Sequence, residues 1–309
     1  MAEPVNTSNP LAGPYRTGTY LVSDAGPDNW RSAMTLPDHP YRASGSHQVG
    51  ISDWVRLFQQ LPAGVSRLWL VDLRQETHGY LDGAPYSWYA DNDWANVGAG
   101  RDWIVADEIA RLAGLEGRIA KVFTIEPDPN DDLKQERVLP TSVTEIRIES
   151  ARTEADVAQI LTEVFRPMSV EYKRIPVTDH CAPSDRALTQ LTNLASEVGP
   201  NDWVHFHCHG GDGRTTTFLC AYDMLCWKRG YDSPLARATN APSDPLPSLE
   251  TFVTRQLSLF DYCLDPSGEL CNIAPETGWK LSLDELRWQA LSEFLAELGK
   301  PNVQFGSAR

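Results

Sequence analysis

The sequence predicts an α/β fold: a central, mostly parallel sheet flanked by helices, with a small β-rich insert. Three observations carry this. Short apolar runs (Ser66–Leu73, Glu171–Val177, Trp203–His207) alternate with segments of helical period, the order that builds a parallel sheet. The stretch 86–150 interrupts that order with two β-like runs. A glycine-rich segment, His207 to Thr216, joins the last strand to a helix.

Taken in order, residues 1–35 are rich in Pro, Gly, Ser and Asn without a period, and read as an irregular extension. Residues 36–85 open the main domain. A helix is expected over Ile51–Leu61, with Ser52 as N-cap and Trp54, Leu57 and Phe58 on its apolar face. The strand Ser66–Leu73 runs into a polar loop, RQETHGYLDG. In the insert, 86–150, a helix over Asp102–Ala113 precedes β-like runs at Arg118–Ile125 and Ser142–Ile148, separated by the charged turn EPDPNDDLKQE. Residues 151–309 return to the main domain: a helix over Thr153–Phe165, a strand, the loop TDHCAPSD, and a helix over Asp185–Val198. The strand Trp203–His207 then leads through the glycine loop into a helix over Arg214–Lys228. A last helix is expected from Ser282, with Glu285 completing a capping box.

Composition narrows the function. The chain has 309 residues, 41% hydrophobic and 22% charged, an ordinary balance for a soluble globular protein. A net charge of −15 argues against a nucleic-acid binder, which would carry a basic field. It does not argue against phosphate esters, because salt screens long-range repulsion beyond about 8 Å and local cations dominate at contact. No apolar run approaches the ~18 residues of a membrane helix, and the N-terminal residues carry no secretory signal pattern. None of the six cysteines forms a C-x-x-C pair, so a zinc site is not expected. Cys220 and Cys226 read as core residues of a helix; Cys263 and Cys271 flank a turn and pair in an oxidising compartment or remain free.

The segment HCHGGDGRTT carries the chemistry. Gly210, Gly211 and Gly213 let the backbone curl between Cys208 and Arg214 with its N–H groups turned inward. Such a nest at a helix N-terminus is an anion site sized for one phosphate. The same field favours a thiolate, and Arg214 offers a bidentate fork to two phosphate oxygens. This suits in-line attack of the Cys208 sulfur on phosphorus and a phosphocysteine intermediate. A departing alkoxide needs a proton, and Asp179, at the end of a predicted strand, is the candidate acid.

With these residues in view, the sequence resembles the protein-tyrosine-phosphatase-like inositol polyphosphate phosphatases, or cysteine phytases. HC-x-x-G-x-GRTT is met by His207 to Thr216, TDH by Thr178 to His180, and DLRQE-x-HG by Asp72 to Gly79. SWY-x-x-x-DWAN-x-G is met by Ser87 to Gly98, and an upstream Arg-x-Ser by Arg42 and Ser44. The resemblance implies a tyrosine-phosphatase-like core with an inserted partial β-barrel, and hydrolysis of inositol hexakisphosphate (phytate) without a metal or other cofactor. It makes Cys208 the nucleophile, Arg214 the phosphate clamp, Asp179 the acid and later the base, and Thr215 the donor that eases the sulfur's departure. Gly210, Gly211, Asp212 and Gly213 would cradle the phosphate, and Arg42, Glu76, Asp93, His180 and His209 would line the substrate site. Glu76 and Asp93 are open to a second reading, as partners of Arg side chains, and Arg74 reads as a structural ion pair. His207 reads as a buried residue that orients the loop.

Two departures stand out. Asp212 sets a carboxylate in the phosphate loop, facing inward against the anion or outward toward a basic residue. Phe260-Asp261-Tyr262-Cys263 is followed by Leu264 where relatives carry a lysine, leaving Lys173, Arg174, Lys228, Arg229, Arg255 and Lys280 as substitutes. The alternatives to a phytase are a phosphotyrosine or phosphoinositide phosphatase sharing Cys208 and Arg214, and a weakly active inositol-phosphate-binding module. The family resemblance favours a secreted or periplasmic location, with an effector delivered into a host cell as the alternative.

Overall fold

The computed structural model describes residues 20–24, 31–32, 42–130, 137–231, 246–257, 263–272 and 279–300. In chain order the elements are β1 (Tyr20–Ser23), β2 (Arg31–Ser32), β3 (Ala43–His47), α1 (Ile51–Phe58), β4 (Arg67–Arg74), β5 (His78–Leu81) and β6 (Ala84–Tyr89). There follow α2 (Arg101–Leu115), β7 (Ile119–Pro127), β8 (Val138–Arg147), β9 (Ala151–Arg152), α3 (Glu154–Val164), β10 (Ser169–Val177), α4 (Asp185–Glu197) and β11 (Asp202–Cys208). The last are α5 (Gly213–Tyr231), α6 (Leu249–Leu257) and α7 (Trp279–Leu298). Parallel and antiparallel pairings with flanking helices make this an α/β protein. Among the described residues, no helix is long and apolar enough to cross a membrane.

The chain divides into two compact units. The first takes residues 1–28, 48–70 and 74–179. Its four-stranded sheet runs β1-β6-β5-β9. The hairpin β5–β6 turns on Asp82 and Gly83, both at positive φ (50° and 86°), the primed geometry that matches strand twist. Asp82 also accepts from the backbone N–H of Ser150 at 2.7 Å, fixing the chain that leads to β9. Gly79 has no room for a side chain: a Cβ there would lie 2.7 Å from a Leu112 methyl and 2.9 Å from the Arg152 carbonyl. That close approach seals a core of Leu21, Leu81, Trp88, Leu112, Leu115, Ala120 and Ile148. The hairpin β7–β8 forms a separate two-stranded sheet, and its second strand is exposed along most of its length. The helix α3 begins with a full capping box, Thr153 and Asp156 bonding each other's backbone N–H.

The second unit takes residues 29–47, 71–73 and 180–309. Its parallel pair sets β11 beside β3 with His207 opposite Ser46 and Cys208 opposite His47, and β2 adds antiparallel to β3. The strand β11 is buried along all seven residues, as a strand covered on both faces must be. Phe206 on it meets Phe218 and Tyr222 of α5. Arg229, near the end of α5, donates to the Val198 carbonyl at the C-terminus of α4, where helix carbonyls lack partners.

Several expectations need correction. The segment read as an irregular extension contains β1, paired with β6 from Tyr20 opposite Tyr89 to Ser23 opposite Tyr86. Four residues are too few for alternation to show against a Pro/Gly-rich background. The polar loop after β4 is half strand, because β5 hides its backbone in a hairpin and buries all four residues. Gly50, not Ser52, is the N-cap of α1, and no side chain caps it. The final helix starts at Trp279, so Ser282 lies inside it. The helix α6 had not been foreseen. The turn residues 131–136 and the Phe260–Tyr262 stretch lie outside the described residues.

Candidate active site

The second unit holds the glycine loop. The Cys208 sulfur ends β11, 3% exposed. It accepts from the Gly211 N–H at 3.2 Å and from the Thr215 hydroxyl at 3.1 Å. Two donors thus converge on one sulfur. The helix α5 starts at once: Thr216 N–H reaches the Asp212 carbonyl at 2.9 Å, and Thr217 donates to the Gly213 carbonyl at 2.7 Å. Arg214 is buried in the first turn, as are Thr215 and Thr216. His209 and Asp212 are half-buried on the loop.

The loop is seated on β3. Gly211 has φ +79°, and a Cβ there would stand 2.4 Å from the His47 nitrogen and 2.7 Å from the Ser46 carbonyl carbon. Gly45 plays the complementary part: a Cβ there would lie 2.5 Å from the Thr215 methyl and 2.8 Å from Leu219. Bare backbone at both positions lets the loop and α5 close on the strand.

A buried relay locks β3 to β11. Trp203 Nε1 donates to Ser44 Oγ at 2.7 Å, and Ser44 Oγ lies 2.8 Å from His205 Nδ1. His205 Nε2 lies 3.0 Å from Ser46 Oγ, which donates to the His47 carbonyl at 2.6 Å. For a neutral imidazole only one proton order satisfies every link. Ser44 accepts from the indole and donates to Nδ1, so Nε2 carries the hydrogen and donates to Ser46. The ring is neutral because burial, reinforced by His207 and His47, holds it well below the ordinary imidazole range. His207 stacks on it, ring centroids 6.4 Å apart.

The first unit holds a second group of predicted residues around Arg74. Its Nε donates to Glu76 at 2.7 Å and its Nη1 to Asp24 at 2.9 Å and to Gln48. Asp24 in turn accepts from Ser87. Burial alone would lower the Arg74 pKa, but Glu76, Asp24 and Asp93 more than reverse it, so the guanidinium is a fixed cation. Arg74 is thus the structural ion pair expected of it, and one oxygen of Glu76 is committed to it. Asp93 is 3% exposed, at φ +59°. Asp179 is placed by its carbonyl, which accepts from Trp94 Nε1 at 2.9 Å, while Thr178 donates to Gln75 at 2.6 Å. Trp94 and Gln75 come from the two loop motifs flagged in the sequence. His180 follows in the second unit in the left-handed region, φ +61°, and the Arg42 carbonyl starts the β3–β11 pairing by accepting from Val204.

Of the six cations proposed as substitutes for the missing lysine, three do structural work. Arg174 binds Glu108 and the carbonyls of Arg74 and Glu76. Arg229 caps α4, and Arg255 lies over the Trp227 ring, 5.0 Å from its centroid, beside Asp223. Cys220 is a core residue as expected, while Cys226 is half-buried; burial of the sulfur pushes both thiols up, Cys226 to about 12. Cys263 and Cys271 are disulfide-bonded. The Ser44–His205–Ser46 relay escaped the sequence reading. Its visible trace is the alternation His205, His207 on one face of β11 and Ser44, Ser46 on β3.

Comparison with known proteins points one way. Residues 71–226 match the model of the PTP-like phytase family, described by the term inositol hexakisphosphate. The chain is 28% identical over 209 residues to the effector protein hopD2 of Pseudomonas syringae pv. tomato, covering 67% of this chain and 39% of that protein. It resembles the PTP-like myo-inositol phosphatase of Mitsuokella multacida, solved with myo-inositol-(1,3,4,5)-tetrakisphosphate, at TM-score 0.70 and 21% identity. That match covers 93% of this chain and 46% of the other. A PTP-like phytase from Bdellovibrio bacteriovorus aligns at TM-score 0.64 and 28% identity, covering 92% and 90%. The chain therefore spans under half the length of hopD2 and of the Mitsuokella protein. With half of its residues matched by the family model, and the motifs of that family folded as described, the chain belongs to the PTP-like phytases.

Proposed function

We propose that this chain is a phosphatase that removes phosphate from inositol polyphosphates, inositol hexakisphosphate among them, through a phosphocysteine intermediate. The observation that carries it is the Cys208 sulfur held between the Gly211 N–H and the Thr215 hydroxyl, in a glycine loop that opens a helix at Arg214. The sulfur attacks phosphorus, the P–O bond to the inositol oxygen breaks, and Asp179 gives that oxygen its proton. Arg214 and the loop amides hold the three equatorial oxygens as charge builds on them. Water then attacks the phosphocysteine, Asp179 takes its proton, and the sulfur leaves as a thiolate to which Thr215 donates. Arg42, His180 and His209 contact further phosphates, and Glu76 and Asp93 shape the polar surroundings. A thiolate nucleophile makes a metal unnecessary for this sequence of steps.

The substrate class rests on the family description and on the inositol phosphate bound by the Mitsuokella relative. Phosphate release from phytate should occur, continue in the presence of a chelator, and vanish in Cys208→Ser. Release that persists in that variant would overturn the chemistry. Faster turnover of a phosphotyrosine peptide than of phytate would overturn the substrate class, and tight phytate binding without turnover would identify a binding module.

A further inference from the structure

Asp212 is the feature that the proposed chemistry leaves unaccounted for: a carboxylate inside a loop built to bind an anion. Its carboxylate lies back along the loop, with Oδ2 3.6 Å from where a Cβ on Gly210 would stand. Next to it in sequence, Gly213 is covered by a side chain from far along the chain. A Cβ on Gly213 would lie 3.1 Å from Arg287 Nη2, 3.2 Å from Nη1 and 3.4 Å from Cζ. The charged end of Arg287, not its stem, is pressed against this peptide. Arg287 comes from α7, is 2% exposed, and has one N–H bonded to Asp284 at 2.9 Å. Asp284 sits one turn earlier on the same helix, and the atoms that crowd the Gly213 position belong to the guanidinium itself.

A buried arginine is costly unless the charges around it repay its desolvation. Asp284 bonds it here, and a second carboxylate, Asp212, sits in the loop segment it covers. We infer that Arg287 is a positioning residue for the phosphate loop, holding the Gly213 peptide at the entrance to α5 and offsetting the charge of Asp212. The loop thereby tolerates its own carboxylate and still receives a phosphate group. This rests on the phosphatase reading above and extends it to a residue outside every motif of that reading.

The test is a double-mutant cycle on the full chain, with inorganic phosphate as competitive inhibitor and phytate as substrate. Arg287→Gln should weaken phosphate inhibition and raise KM by about tenfold, the size of a single charge-pair coupling, with a smaller change in kcat. Arg287→Lys, which keeps the charge but not the fork, should recover part of the loss. In an Asp212→Asn background, Arg287→Gln should cost threefold or less, on the same order-of-magnitude scale. Effects of Asp212→Asn and Arg287→Gln that multiply within about twofold would overturn the inference. So would a loss in kcat alone with phosphate inhibition unchanged. If Arg287→Gln gives no cooperative thermal transition, the cycle is run with Arg287→Met, which removes the charge but keeps an unbranched apolar side chain in the buried site, and independence there overturns the inference equally. Loss of the phosphatase reading is seen separately, as activity that survives Cys208→Ser.

Discussion

Replacing Asp223 by Asn should stabilise the protein above neutral pH and leave it unchanged in mild acid. Asp223 faces inward from α5, where Gln256 Nε2 donates to it at 3.3 Å and Arg255 Nε stands 3.8 Å away. Burial raises its carboxyl from 3.8 to about 7, against the opposing pull of Arg255 and Gln256. The folded state therefore holds this proton more tightly than the unfolded chain does. Stability from this group is complete below pH 3.8 and is lost as pH rises to about 7, beyond which the deficit is constant. At ~1.4 kcal/mol per pH unit, the full deficit is on the order of 4 kcal/mol. Asparagine keeps an acceptor for Gln256 and removes the titration. Arg255 is left stacked over Trp227 and partly exposed, 17% at its side chain, so it is not stranded. Urea denaturation of both proteins at about pH 4 and pH 8 isolates the effect, since the Cys220 and Cys226 thiols, which feel the Asp223 charge, are held up out of that range by burial. The variant should gain on the order of 2–4 kcal/mol at the higher pH and change little at the lower. An equal difference at both pH values, or a less stable variant at pH 8, would refute the reasoning.

Gly211→Ala should cost about 2–5 kcal/mol in a denaturant titration, the sum of an unfavourable left-handed alanine and a forced shift of β3, and should abolish phosphate release. A variant that melts and turns over like the parent would show that the loop does not rest on His47. Thr215→Ala removes one donor from the Cys208 sulfur and should lower kcat by about 10- to 100-fold with KM little changed, read from phytate kinetics; a rise in KM alone contradicts the assigned role. Reducing the Cys263–Cys271 disulfide, or changing both cysteines to Ser, should lower stability by about 2–3 kcal/mol for so short a loop, measured by thermal melting with and without dithiothreitol. No shift on reduction would mean that the pair contributes nothing to the fold.

The sequence was most legible where one local rule decided the outcome. The long apolar strands β4, β10 and β11 and the helices α2 to α5 were placed within a few residues, because their periods are long and their flanks polar. The glycine loop was legible for a stronger reason: its geometry is forced by three glycines between a strand and a helix. What escaped depended on partners distant in the chain. The strand β1 exists because β6 offers it an edge, and β5 because a primed turn folds RQETHGYLDG into a hairpin. The seat of Gly211 on Ser46 and His47 and the relay through His205 are written across strands more than 150 residues apart. No window of sequence contains them. Arg287 is the extreme case: its guanidinium crowds the Gly213 position from α7, far along the chain.

The seating of the glycine loop on β3 bears on how this protein can be cut. The portion matched by the family model begins at residue 71 and leaves out Ala43–His47. A fragment trimmed to that boundary for expression would keep Cys208, Arg214 and Thr215 yet lose the neighbouring strand that Gly211 touches. It would lose Ser44 and Ser46 from the relay as well, leaving His205 and Trp203 with unmet hydrogen bonds in the interior. Trimming after residue 226 would remove α7 and Arg287 with it. A piece that keeps the glycine loop with both of its neighbours, β3 and Arg287, therefore runs from before Arg42 to beyond Arg287, and a truncation series should lose activity in two steps, one at each of those limits.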